Sequence, residues 1–259
     1  MTIRSHPPVG APCWVDLWTS DVEGSRRFYR ELLGWEAQEP SPEFGGYFMF
    51  TSGGVPTAGA MGDMADSPAT DTWSVYFACL DIEGTLAAAR RAGATVLSPA
   101  MPVADLGVQA ILLDPAGANF GLWQPGSFPG FTVLDEPGAP SWFELRTRDH
   151  DRAVDFYRTI FGLESASLPG EHETAYTTFR PSGAEADAGG IVDGSGSLPQ
   201  GLGGRWSVYW EVRDPDAGVG KVRALGGSVV RGPDRTPFGV LATVRDPAGA
   251  EFRLRSTGP

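Results

Sequence analysis

The sequence predicts an α+β protein made of four βαβββ units in two pairs, and three observations point there. The chain repeats itself: WVDLWTSDVEGSRRFYRELLGW, residues 14–35, returns as WFELRTRDHDRAVDFYRTIFGL, residues 142–163, 128 positions on. WSVY recurs from Trp73 to Trp206 and DPAGA from Asp114 to Asp246, displacements of 133 and 132 that match the first to within a short loop. Each copy also divides again, since WSVY opens a second strand and helix inside it.

The elements follow in order. In the first strand Val15, Leu17 and Thr19 alternate with Trp14, Asp16 and Trp18, the period-2 signature of a strand with two different faces. Asp21 then caps a helix whose residues Val22, Phe28, Tyr29, Leu32 and Leu33 share a broad apolar face, and Gly34 stops it. The second copy repeats this from Asp149 to Gly162 with Val154, Phe156, Tyr157, Ile160 and Phe161. WSVYFACLD precedes a helix over 82–93, and WSVYWEVRD precedes one over 215–226. Short strand-like runs broken by Gly and Pro follow the helices, as at 46–51, 109–113 and 240–244. Residues 10–125 and 140–256 therefore form two modules, and 126–139 form the linker, inside the Pro/Gly-rich run QPGSFPGFTVLDEPGAP.

Composition narrows the function classes. The chain of 259 residues is 41% hydrophobic with eight Trp and fourteen Phe, enough for a packed core. Its net charge of −12 and lack of a basic run argue against nucleic acid or anionic membranes as partners. Cys13 and Cys79 stand far apart, which suggests neither a zinc knuckle nor a disulfide framework. No signal-like or membrane-length apolar run occurs, so a cytoplasmic location is expected.

The pattern D-x-x-x-[SA]-x-x-FY-x-x-x-[LF]-G, followed by D-P-x-G before a last strand, resembles the vicinal-oxygen-chelate superfamily. That group includes glyoxalase I, extradiol dioxygenases and bleomycin-resistance proteins. The matching residues are Asp21, Ser25, Phe28, Tyr29, Gly34, Asp114, Pro115 and Gly117, and again Asp149, Ala153, Phe156, Tyr157, Gly162, Asp246, Pro247 and Gly249. The resemblance implies two glyoxalase-like modules of curved mixed sheet, helices on the outer side, and a ligand pocket on the concave face. It also implies four metal-ligand positions per module. These fall on Trp14 and Trp142, on Val75 and Val208, and on Gly121 and Arg253, with the fourth near 58–63 and 189–193, where Asp63 and Asp193 are the nearby acids. Trp, Val, Gly and Arg side chains do not coordinate divalent ions, so neither a metal nor another cofactor is expected. The superfamily habit of building a cavity from halves of two modules would set Asp16 opposite Arg253 and Arg255, and Glu144 opposite Gly121 and Trp123.

Strand alternation supplies the rest of the candidate site. Trp14, Asp16 and Trp18 share a face, as do Trp142, Glu144 and Arg146. The last strands add Gly121 and Trp123 in one copy, and Arg253 and Arg255 in the other. The middle strands are expected to add Phe77 and Trp210 to the same wall. The polar run 193–204 reads as a flexible connection rather than a phosphate loop, His172 as a solvated loop residue, and Cys79 as buried.

The expected function is metal-independent binding of a small planar or aromatic metabolite or antibiotic, of the resistance or secondary-metabolism accessory type. Tryptophans would stack on it, and Asp16, Glu144 or Arg253 would orient it. The alternative is a cofactor-free isomerase, lyase or hydroxylase-type enzyme with Asp16 or Glu144 as acid or base. A metal-dependent lyase or dioxygenase is the least favoured. The tandem repeat already supplies a pseudo-twofold pair, so a monomer is expected, with a homodimer as the other choice.

Overall fold

The structure, a computed structural model, describes residues 2–3, 6–64, 70–168 and 174–258; His172 lies outside them. The first part of the chain runs β1 (Thr2–Ile3), β2 (Pro12–Trp18), α1 (Val22–Leu33), β3 (Glu36–Ala37), β4 (Phe48–Ser52), β5 (Val55–Met61), β6 (Thr72–Ala78), α2 (Ile82–Arg91), β7 (Thr95–Val103), β8 (Gly107–Leu113) and β9 (Asn119–Pro125). It continues with β10 (Val133–Leu134), β11 (Pro140–Thr147), α3 (His150–Phe161), β12 (Glu164–Ser167), β13 (Tyr176–Arg180), β14 (Gly189–Asp193), β15 (Gly204–Glu211), α4 (Pro215–Ala224), β16 (Ser228–Thr236), β17 (Gly239–Arg245) and β18 (Glu251–Ser256). Each module is one eight-stranded mixed sheet, in the orders β3-β4-β5-β2-β6-β9-β8-β7 and β12-β13-β14-β11-β15-β18-β17-β16. The small β1–β10 pair brings the N-terminus to the linker. The result is the α+β arrangement of two glyoxalase-like modules. Among the described residues no helix is long and apolar enough to cross a membrane.

The helix punctuation works as its chemistry requires. The Asp21 carboxylate accepts the Gly24 N–H at 2.9 Å, satisfying one of the free donors in the first turn. Gly34 ends α1 with φ of 75°, a conformation that costs a side-chain-bearing residue energy but glycine little. Asp81 and Asp214 cap α2 and α4 in the same way.

The helices lie on the side of each sheet away from Trp14 and Trp142, and that side is turned toward the other module. Helix α1 lies against α4, α2 against α3, and β6 packs on β15 between the two helix pairs. One continuous apolar core therefore spans both modules. Trp73 meets Trp210 at 5.5 Å between ring centroids, and Phe77 meets Trp206 at 4.9 Å, both near T-shaped. This corrects the placement of Phe77 and Trp210: both are wholly buried in the seam between modules rather than on the expected ligand wall. The alternation of β6 and β15 is one residue out of step with that expectation, because Trp14 pairs with Tyr76 and Trp142 with Tyr209, which leaves Val75 and Val208 opposite the packing residues Val15 and Phe143.

Two sequence motifs meet across this seam. The Tyr29 hydroxyl donates to Asp246 at 3.0 Å and accepts the Trp73 indole N–H at 3.2 Å. Tyr157 repeats the arrangement with Asp114 at 3.2 Å and Trp206 at 2.9 Å. Each aspartate also holds its own turn, Asp114 through the N–H groups of Ala116 and Ala118 and Asp246 through those of Gly249 and Ala250, all at 2.9 Å. The FY of each module thus locks onto the DPxG of the other.

Candidate functional site

The sheet faces opposite the helices carry the candidate residues, and the two modules use them differently. On the first face, Asp16 is the only carboxylate on the central strands, β5, β2, β6 and β9. Its Oδ1 accepts the Trp14 indole N–H at 2.9 Å and the Tyr47 hydroxyl at 2.8 Å, and Tyr76 also bonds to the carboxylate. Burial raises the Asp16 pKa above its ordinary value, opposed by the bonds from Tyr47, Tyr76 and Trp14. Gly59 and Gly121 make this crowding possible, since a Cβ at either would overlap Tyr47 and Asp16, or the Tyr76 ring.

The linker covers the Trp14–Trp123 part of this face, leaving Asp16 and Tyr47 half-buried. Phe128 sits edge-on to Trp14 at 4.9 Å, and Phe131 stacks on it at 6.3 Å. The Trp123 indole donates to the Phe128 carbonyl at 2.9 Å, and the Phe131 N–H to the Cys13 carbonyl at 2.9 Å. Gly130, with φ of 99°, lets the linker backbone lie on β2, where a Cβ would strike the Cys13 carbonyl. Trp14 is left 5% exposed and Trp123 7%. Phe131 also stacks on Phe143 at 5.7 Å, carrying the packing into the second module. Trp18, half-buried at the end of β2, donates to the Gly62 carbonyl at 3.1 Å.

The second face is charged and leaves its tryptophan less covered. Glu144, 6% exposed, holds the Arg253 guanidinium at 2.8 Å and that of Arg146 at 3.3 Å through Oε1, and accepts the Tyr209 hydroxyl at 2.9 Å through Oε2. Tyr176 bonds to Glu144 and accepts the Trp142 indole N–H at 3.0 Å. Burial, and next the Glu144 charge, push the Tyr176 phenol up. Arg253 lies over the Tyr209 ring at 4.9 Å, and Arg255 over Trp142 at 5.6 Å. Trp142 is only half-buried, beside a cleft of about 170 Å³ lined by Pro12, Leu134, Asp135, Ser141, Trp142 and Arg255 among others. An apolar cavity of about 150 Å³ is enough for one benzene ring. A cleft of about 470 Å³ lies elsewhere, between the end of α1 and the start of α4.

Of the expected residues, Trp14, Asp16, Trp18 and Trp123 gather on one face and Trp142, Glu144, Arg146, Arg253 and Arg255 on the other. The expected pairing across modules does not occur: Glu144 meets Arg253 within one sheet, because β11, β15 and β18 are adjacent there. Sequence reasoning missed Tyr47, Tyr76, Tyr176 and Tyr209, although the last of WSVY in each copy marked two of them. It also missed Phe128 and Phe131, aromatics in a linker with no element to place them. The run 193–204, expected to be a flexible connection, is tied down by Arg148, whose guanidinium donates to the carbonyls of Ser195, Leu198, Pro199 and Leu202.

The donor set does not suit the divalent ion that the resemblance implies. Among the described residues no three His, Cys, Asp or Glu side chains converge as metal ligands. Asp16 and Glu144 are each surrounded by indole, phenol or guanidinium donors, which stabilise a carboxylate by hydrogen bonds and leave it alone as a metal ligand. Asp193 is turned into its own loop, accepting from the Ser195 N–H at 2.9 Å and its hydroxyl at 2.6 Å.

Comparison with known proteins matches this architecture. The sequence profile of the Glyoxalase/Bleomycin resistance protein/Dioxygenase superfamily matches residues 13–122 and 139–254. The chain belongs to this superfamily. The CFP32 protein of Mycobacterium bovis is 33% identical over 264 residues, covering 100% of this chain and 99% of its own. The anthracycline biosynthesis protein DnrV of Streptomyces peucetius is 35% identical over 265 residues, covering 95% of this chain and 92% of its own. Among solved superfamily structures, a Mn(II)-bound glyoxalase from Novosphingobium aromaticivorans superposes with a TM-score of 0.66 at 17% identity, covering 96% of this chain and 83% of its own. The 2,3-dioxygenase LapB of Pseudomonas sp. KL28 gives 0.64 at 15%, covering 98% and 94%. At these identities the two structures share the superfamily fold.

Proposed function

We propose that this protein binds a small planar or aromatic metabolite or antibiotic, without a metal ion, on the second module's face beside Trp142. The observation that carries this reading is the contrast between the two faces. Linker phenylalanines cover Trp14 on the first, while the second leaves Trp142 half-exposed beside a cleft lined by Arg255, Asp135 and Asp187. A flat ring can stack on that indole, and polar groups of the ligand can meet the guanidiniums. The relative DnrV carries anthracycline biosynthesis in its name, which supports a ligand from secondary metabolism and a resistance or accessory role. Calorimetric titration of chelator-treated protein with a panel of planar aromatic compounds tests the proposal. Saturable heats from at least one compound are expected; no heat across a broad panel, or binding only after a divalent ion is restored, would overturn it.

Cofactor-free acid–base catalysis is the second reading, and one observation favours it: burial raises the Asp16 pKa, the direction that acid–base work by a carboxyl group requires. On this reading Asp16→Asn abolishes turnover while leaving ligand affinity within about twofold. Loss of affinity together with activity would return the residue to a structural role.

A further inference from the structure

The second module's face holds five arginines that the first module lacks; besides Arg255, which lies over Trp142, four form a cluster. Arg146, Arg205, Arg245 and Arg253 stand where the repeat places Trp18, Thr72, Leu113 and Gly121 in the first module. In a chain of net charge −12, with Lys and Arg numbering only 20, such clustering on one face is against the overall balance.

The cluster is undercompensated. Glu144 holds Arg253 at 2.8 Å and Arg146 at 3.3 Å; Glu251 holds Arg245 at 3.0 Å and also bonds to Arg205. Among the described residues two carboxylates therefore serve four guanidiniums, leaving two positive charges over. These groups are not freely hydrated, since the arginine side chains of 253, 146 and 205 are 11%, 28% and 29% exposed. Among the described residues the buried Nε–H groups of both Arg146 and Arg253 find no acceptor. The mutual crowding also reaches Arg205, whose pKa is lowered by burial and by the charges of Arg245, Arg253 and Arg146, against the opposing pull of Glu251. Surplus guanidiniums held half out of water, with donors unused, are matched by an anion that brings both charge and lone pairs.

We propose that Arg146, Arg205, Arg245 and Arg253 form a subsite for an anionic group, a carboxylate or phosphate, on the ligand of the second module. This rests on the reading that the second face is the ligand face, and it narrows the ligand to an organic acid or phosphate ester. The anion docks over the arginines between β15, β17 and β18, while the ring extends toward Trp142.

Three probes of similar size separate the possibilities: 1-naphthoate, 1-naphthyl phosphate and the neutral 1-naphthalenemethanol, each titrated calorimetrically into the full-length, chelator-treated protein at low salt. At least one anionic probe is expected to bind about tenfold or more tightly than the alcohol. Preference for the naphthoate over the phosphate ester, or the reverse, identifies the source of the charge. Arg205→Gln is expected to remove most of that preference without changing affinity for the alcohol, and Arg205→Lys to restore part of it; thermal melts of both variants verify folding. Equal affinity for all three probes would overturn the anion subsite while leaving aromatic binding intact. Binding of none of them would overturn the subsite, and the separate aromatic panel would decide whether the ligand face falls with it.

Discussion

Tyr29 donates its hydroxyl proton to Asp246, 217 residues away and in the other module, at 3.0 Å. Together with the Tyr157–Asp114 bond it fastens each module's first helix to the turn before the other's last strand. Tyr29→Phe leaves the buried Trp73 N–H without its acceptor and takes one donor from Asp246, and about 1–3 kcal/mol of stability should be lost. Because the core is continuous, urea unfolding of wild type and variant should each show one transition. Two separable transitions would contradict the locked seam.

The linker plug makes a distinct prediction. Phe131 stacks on both Trp14 and Phe143, so Phe131→Ala removes a wholly buried ring and should cost about 3–5 kcal/mol. It should also admit water to Trp14. Tryptophan emission should shift to the red and become more quenchable by acrylamide, whereas unchanged quenching would mean that the linker does not cover Trp14.

Asp16 gives a pH signature. Its folded pKa is raised above 3.8, so between the two values the folded protein keeps a proton that the unfolded chain has lost. The associated stability is complete below the unfolded pKa and disappears as pH rises through the folded one. Asp16→Asn cannot titrate and keeps an oxygen to accept from Trp14 and Tyr47. The melting temperature of the variant relative to wild type should therefore increase from about pH 4 upward and then level off. A difference independent of pH would contradict the raised pKa.

Much of the fold was legible because repetition and period carry it. The offset of the two copies gave the modules, and Asp21 with Gly34 gave the ends of a helix. The wall of Trp14 and Asp16, like that of Trp142 and Glu144, followed from alternation along one strand. Legibility ended where cross-strand register decides: Val15 pairs with Val75 and Trp14 with Tyr76, which turns the odd-numbered residues of β6, Phe77 among them, to the packing side, and nothing within WSVYFACLD says which alternation faces which way. It ended also where distant groups meet, since nothing local to Tyr29 indicates Asp246, and nothing in the Pro/Gly-rich linker assigns Phe128 and Phe131 to the first module's face.

Cys79 supplies a simple control on the packing. Burial pushes its thiol pKa up to about 12, and Cys13 is buried as well. Neither should react with a disulfide reagent at pH 8 in the native protein, and both should react in denaturant. Rapid native labelling of Cys79 would show that β6 opens at that end.

The central claim is that ligand meets the second module's Trp142 and not the sealed Trp14. Fluorescence quenching by any compound found to bind the chelator-treated protein, measured in Trp14→Phe and in Trp142→Phe, tests it most directly. The account predicts that Trp142→Phe loses most of the ligand-induced quenching and weakens binding, while Trp14→Phe retains both. The reverse pattern, or full quenching in the absence of Trp142, would contradict it.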